Sequence, residues 1–139
     1  DESAHSEREA AERMDLGYGA IALKPIAKTL SQSLRIAQQA HARGIPCFCA
    51  DLTVNPILVD WNKNVAARLA PLPGLRVGVL ESNGHQHYRD WERMRAFHPR
   101  ADAPWTRIRN GCFPLGDDFY ATAGGIFEPS AHYQELVHS

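Results

Sequence analysis

The chain has 139 residues, 44% of them hydrophobic and 22% charged, the proportions of a packed globular domain and not of a disordered segment. Its 15 basic and 16 acidic side chains leave a net charge of −1, which offers no broad basic face to nucleic acid or to an anionic membrane. No run reaches the roughly 18 apolar residues of a membrane-spanning helix, and the acidic start DESAHSEREAAERM is unlike a signal peptide, so the expectation is a soluble, cytoplasmic protein.

Ser6 and Glu9 have the spacing of a capping box, and the Ala-, Glu- and Arg-rich run from Glu7 to Met14 predicts a short exposed helix ending near Gly17 or Gly19. Ala20-Ile21-Ala22-Leu23 then predicts a buried strand that stops at Lys24-Pro25, because proline cannot continue strand pairing. From Ser31 a second helix is marked by Leu34, Ala37, Ala40 and His41 and closed by Arg43-Gly44. Ile45 to Ala50 is another apolar run without alternation, leading through Asp51 to Asn55 as a helix cap and Pro56 at the first helical position. Leu58, Trp61, Val65 and Leu69 mark the inner face of that helix, and Leu75 to Leu80, ending at Glu81, reads as a third strand.

The strands begin near Ala20, Ile45 and Leu75, 25 and 30 residues apart, which is the period of βα units. Non-alternating strands have both sheet faces covered, so the predicted class is α/β with a parallel sheet. Past Glu81 the alternation ends. Asn83 to His87 reads as a loop, Tyr88 to Phe97 as a helix, Pro99 to Pro104 as irregular, Asn110-Gly111 as a hairpin turn, and Ser130 as the cap of a last helix to Val137. Gly124-Gly125 reads as a flexible point. The three cysteines, Cys47, Cys49 and Cys112, are read as reduced, the first two on one face of a strand.

Parallel strands present their C-terminal ends on one side, where α/β enzymes assemble their sites. That places Lys24, Asp51, and Glu81 with Asn83 on a common rim, with Asp1-Glu2 ahead of the first helix. A lysine at a buried strand end can have its amine tuned toward neutrality, where it can take a proton from carbon or return one. Carboxylates such as Asp1 and Glu81 could hold a hard cation, with Mg²⁺ favoured where few protein oxygens share the sphere with substrate. Taken singly, Lys24 could equally reach solvent, and Asp1 could serve helix electrostatics at Ser6. His85-x-His87 lacks a third ligand at zinc spacing, and no dinucleotide fingerprint, phosphate loop or nucleophile elbow occurs. Arg76, Arg89, Arg93 and Arg95 read as a solvated basic face.

Asp1-Glu2-Ser3, Lys24-Pro25 at the next strand end, Lys28, and a helix closing in Ala42-Arg43-Gly44-Ile45-Pro46 together resemble the C-terminal half of the enolase superfamily, closest to its mandelate racemase and muconate-lactonizing branch. The resemblance implies the strand five to eight region of a (β/α)8, TIM-like barrel, with residues 1–98 as its βα units and residues 99–139 as a tail returning toward a capping domain. In that family the Asp of a D-E-S tripeptide is an Mg²⁺ ligand and a lysine about two dozen residues on is an acid/base catalyst. Here Asp1 and Lys24, 23 residues apart, take those roles, and Asp51, Glu81 and Asn83 become weaker substrate-facing candidates. Thr29-Leu30 stands where many relatives have Gly-Gly, so the substrate-facing loop departs from the family pattern. The implied activity is that of a lyase or isomerase abstracting a proton α to the carboxylate of a small acid, by racemisation, cycloisomerisation or elimination.

An eight-unit barrel needs about 250 residues, so the chain is expected to work as part of a longer or completed barrel, with an N-terminal half, a capping domain and a homo-oligomeric state supplied by the whole protein. The competing expectation is a non-catalytic α/β binding or interaction module in which the strand-end charges hold a small anion.

Overall fold

The first helix is set by a local signal. In the computed structural model, which describes residues 4–138, α1 (Glu7–Asp15) starts where the Ser6 hydroxyl accepts from Glu9 N at 3.2 Å and the Glu9 carboxylate accepts from Ser6 N at 3.0 Å. Its inner face buries Ala10 and Met14, and it lies against α2 (Leu30–Ala42). Arg43, just past α2, donates to Asp15 Oδ1 at 2.8 Å and to the Ala11 carbonyl at 3.2 Å.

Two parallel strands follow the predicted order, β1 (Ile21–Leu23) and β2 (Cys47–Cys49), with Ile21 opposite Cys47 and Leu23 opposite Cys49. Both show buried outer positions around a half-buried centre, so Ile21, Leu23, Cys47 and Cys49 form one covered face. They pack with Ala10, Met14, Ile36, Ala40, Val65 and Ala66 into the main core. The buried stripe of α2 is Ser33, Ile36 and Ala40, whereas Leu34, which the sequence pattern places on the inner face, is 51% exposed.

Helix α3 (Pro56–Ala66) begins as expected, Asn55 Oδ1 accepting from Leu58 N at 3.1 Å with Pro56 in the first turn. Its buried surface runs nearly around the helix and includes Asp60, Asn62 and Lys63, while Leu58 is partly exposed. The third strand is shortened to a single parallel bridge between Leu80 and Cys49, in which Cys49 N donates to Val79 O and Glu81 N to Cys49 O. Its earlier residues Leu75 and Val77 are exposed. At Gly78 the chain lies so close to the end of α3 that a Cβ would sit 2.0 Å from the Ala66 carbonyl oxygen, a packing against the helix that accompanies the late entry into the sheet. The segment joins the sheet only after that contact has been passed. Among the described residues, β1, β2 and Leu80 lie in parallel sequence order, and this two-stranded sheet with one added bridge does not form the partial barrel expected from the resemblance.

The expected loop after Asn83 is a single helical turn, α4 (Gly84–His87), and the predicted helix from Tyr88 contracts to α5 (Trp91–Arg95). A 3-10 turn at Pro104–Thr106 leads to the Asn110-Gly111 hairpin, whose φ values of 49° and 75° and paired Arg109–Cys112 bonds make it the primed turn its sequence predicts. Then come α6 (Asp117–Thr122), a 3-10 turn at Ala123–Gly125, and α7 (Ala131–His138). Ser130, expected as a cap, donates its hydroxyl to the Phe97 carbonyl at 2.6 Å. Within residues 99–139, Trp105 and Phe119 are buried against each other, rings 5.7 Å apart and edge-on. Among the described residues no helix is long and apolar enough to cross a membrane.

Candidate functional site

The rim formed by the exits of β1, β2 and the Leu80 bridge is knitted by backbone bonds. Ala50 N donates to Leu23 O at 2.8 Å, beside Lys24, and Glu81 N donates to Cys49 O at 2.9 Å. Lys24 is half-buried, and its carbonyl accepts from Ala27 N at 3.0 Å and from Lys28 N at 3.1 Å, so a single helical turn follows β1. That turn carries a second amine one helical repeat on. Burial, and then the neighbouring Lys24 ammonium, hold Lys28 below the ordinary lysine range, with Glu9 opposing.

Asp51 is 5% exposed and faces backbone. Its Oδ1 accepts from Leu52 N at 2.6 Å and Val54 N at 3.1 Å, while Oδ2 accepts from Asn83 N at 3.1 Å. The structure therefore brings Asp51 and Asn83 together. Glu81 is exposed on the same rim, and the enclosed Asn83 side-chain oxygen has no hydrogen-bond partner among the described residues. Asp1, the expected metal ligand, lies outside the described residues.

A second polar cluster escaped the sequence reading. Asp60 on α3 accepts from Lys63 Nζ through Oδ1, and its Oδ2 lies 2.7 Å from His98 Nε2, in a contact bent away from the N–H axis. All three side chains are at most 3% exposed. Lys63 also donates to the Trp105 carbonyl at 2.7 Å and stands 3.8 Å above the Phe113 ring, while His98 Nδ1 accepts from Arg100 N at 2.9 Å. Burial pushes the Lys63 amine below its ordinary range, and Asp60 pulls it back. The signal that could have found it is positional: Pro56, Asp60 and Lys63 fall on one helical face. The cavity beside the cluster, about 10 Å³, has room for about one water. It is a structural knot with no space for an organic substrate.

Cys47 and Cys49 are buried thiols, and burial raises them to about 11 and about 12 respectively, the second helped by its neighbour. They are neither ready nucleophiles nor ready metal ligands. Among the described residues no three His, Cys, Asp or Glu side chains gather as a metal site. No family model, curated protein or solved structure matches the chain.

Proposed function

We propose that the chain carries the acid/base lysine of an Mg²⁺-dependent lyase or isomerase of the enolase-superfamily type, with Lys24 as the group that moves the proton. The observation that supports this reading is the placing of Lys24 at the exit of a buried parallel strand, hydrogen-bonded in order to the exits carrying Asp51 and Glu81. In its amine form Lys24 would take the proton α to the carboxylate of a small acid: the C–H bond breaks, the N–H bond forms, and the electron pair passes to the conjugated carboxylate as an enediolate. Return of a proton on the opposite face gives racemisation, and departure of a β-substituent gives elimination.

The described residues do not by themselves fit the divalent ion. Both Asp51 oxygens are taken by backbone amides, and no acidic trio gathers. The ion's carboxylates would come from Asp1 and from the barrel half that the resemblance implies. The test is α-proton exchange into D₂O, followed by NMR on the complete polypeptide with a panel of 2-hydroxy and 2-amino acids. Lys24→Ala should lower exchange at least ~100-fold, the usual scale of an acid/base group, with the unfolding midpoint unchanged. Exchange retained by the variant would remove Lys24 from the reaction.

A further inference from the structure

We infer that Asp51 is a positioning residue: one buried carboxylate ties the exit loop of β2 to the exit loop bearing Glu81 and Asn83, and so fixes the substrate-facing side of the rim relative to Lys24. This rests on the proposed lysine reaction for its functional meaning and on the hydrogen bonds for its geometry.

Three backbone donors from two chain segments converge on this side chain, Leu52 N and Val54 N on one oxygen and Asn83 N on the other. The sequence separation between Asp51 and Asn83 is 32 residues, so the third bond closes a long loop. A carboxylate accepting backbone N–H groups makes charge-assisted bonds, which are shorter and stronger than neutral ones. The local backbone is shaped around it. Thr53, between the two near donors, adopts φ 57°, a left-handed conformation that a β-branched residue takes only when its surroundings impose it. Beyond Asn83, Gly84 lies so close to the Val54 carbonyl that a Cβ would be 2.3 Å from its oxygen. The two exit loops thus touch along backbone, and Asp51 is the side chain that clamps them.

The clamp explains why a carboxylate stands at the end of β2 and yet faces no open space. Through the bonds from Ala50 N to Leu23 O and from Glu81 N to Cys49 O, the clamped loops are continuous with the strand that ends at Lys24. Loosening Asp51 would leave Lys24 on its own turn and displace Glu81 and Asn83. Substrate binding would suffer more than proton transfer.

Asp51→Asn separates these effects, since it keeps one acceptor for Leu52 and Val54 and turns an NH₂ toward Asn83 N. Amide hydrogen exchange on the complete polypeptide should quicken at least ~10-fold across residues 81–84 and stay unchanged in β1 and β2. With whichever acid of the exchange panel is turned over, KM should rise about 10-fold while kcat changes no more than about 3-fold, because only the binding side of the rim has moved. Unchanged hydrogen exchange at residues 81–84 would show that Asp51 does not hold this loop, whatever Lys24 does. Faster exchange with KM intact would reduce Asp51 to a structural role and leave the lysine reaction standing. A wild-type protein without turnover on any acid of the panel would overturn both.

Discussion

Burial decides what the sulfur atoms can do. Cys47 and Cys49 face the helices from adjacent positions of one sheet face, and removal from water disfavours their thiolates, giving the values of about 11 and 12. Cys112, beside the hairpin turn, is exposed. An aromatic disulfide reagent should therefore titrate one thiol per native chain rapidly and three after denaturation. Two fast thiols in the native state would contradict the packing of β2. The same shifts have a stability consequence with a definite sign. A thiol whose native value lies above the unfolded one, near 8.5, keeps its proton when the unfolded chain has lost it. Its contribution is complete below that value and falls as pH rises toward about 11 to 12. Lys63 acts in the opposite sense, because its native value is lowered and stability rises between that value and the unfolded lysine range. The clean measurement is thus a difference: the urea midpoint between pH 8 and 10 should fall less steeply in Cys49→Ala than in wild type.

At the scale of elements, capping was readable and packing was not. Ser6 with Glu9, Asn55 with Pro56, and Asn110-Gly111 each act through bonds within a few residues, so the sequence contains the whole interaction. The phase of α2 was misplaced because Leu34 and Ile36 are equally apolar as letters, and only the neighbouring α1 and sheet decide which is covered. Asp51 was legible as a strand-end acid, but its three amide donors include one 32 residues away. The third strand is shortened beside a feature that a hydrophobicity pattern does not encode, the backbone contact of Gly78 with Ala66. Adding a methyl group there tests how close that contact is. Gly78→Ala should cost about 1–3 kcal/mol, the range of overpacking, as judged by urea denaturation. Gly19→Ala, whose Cβ would meet nothing within 4 Å, should cost less than about 0.5 kcal/mol, as surface substitutions do. Equal midpoints for the two variants would mean that Gly78 is not packed so closely against α3.

For the molecule as a whole, α3 is the shared wall. One side of it meets β2, and the other meets α5 and the 3-10 turn at Ala123–Gly125. The second contact is built around charge: Asp60 holds Lys63 and lies against His98, Lys63 reaches the Trp105 carbonyl, and Gly124 approaches the neighbouring Phe119 ring so closely that a Cβ would lie 2.7 Å from it. Outside it, Arg100 and Glu128 form a half-exposed bidentate pair, which lowers the Glu128 carboxyl and, being screened by solvent, adds little to stability. A buried charge deprived of its partner is far more costly than a missing surface pair, about 3–5 kcal/mol. Asp60→Ala strands the Lys63 ammonium, whereas Asp60→Ala combined with Lys63→Met removes the stranded charge, so the double variant should recover part of the loss. The damage should also be regional. Residues 95–125 depend on this knot, while β1, β2, α1 and α2 are held by the separate apolar core of Ile21, Leu23, Ile36 and Cys49. Hydrogen exchange followed by mass spectrometry on Asp60→Ala should show lost protection in residues 95–125 and near wild-type protection in the two strands. Uniform loss across both regions would show that α3 transmits the disruption to the sheet, and the rim that carries Lys24 and Asp51 would then depend on a cluster that lies outside it.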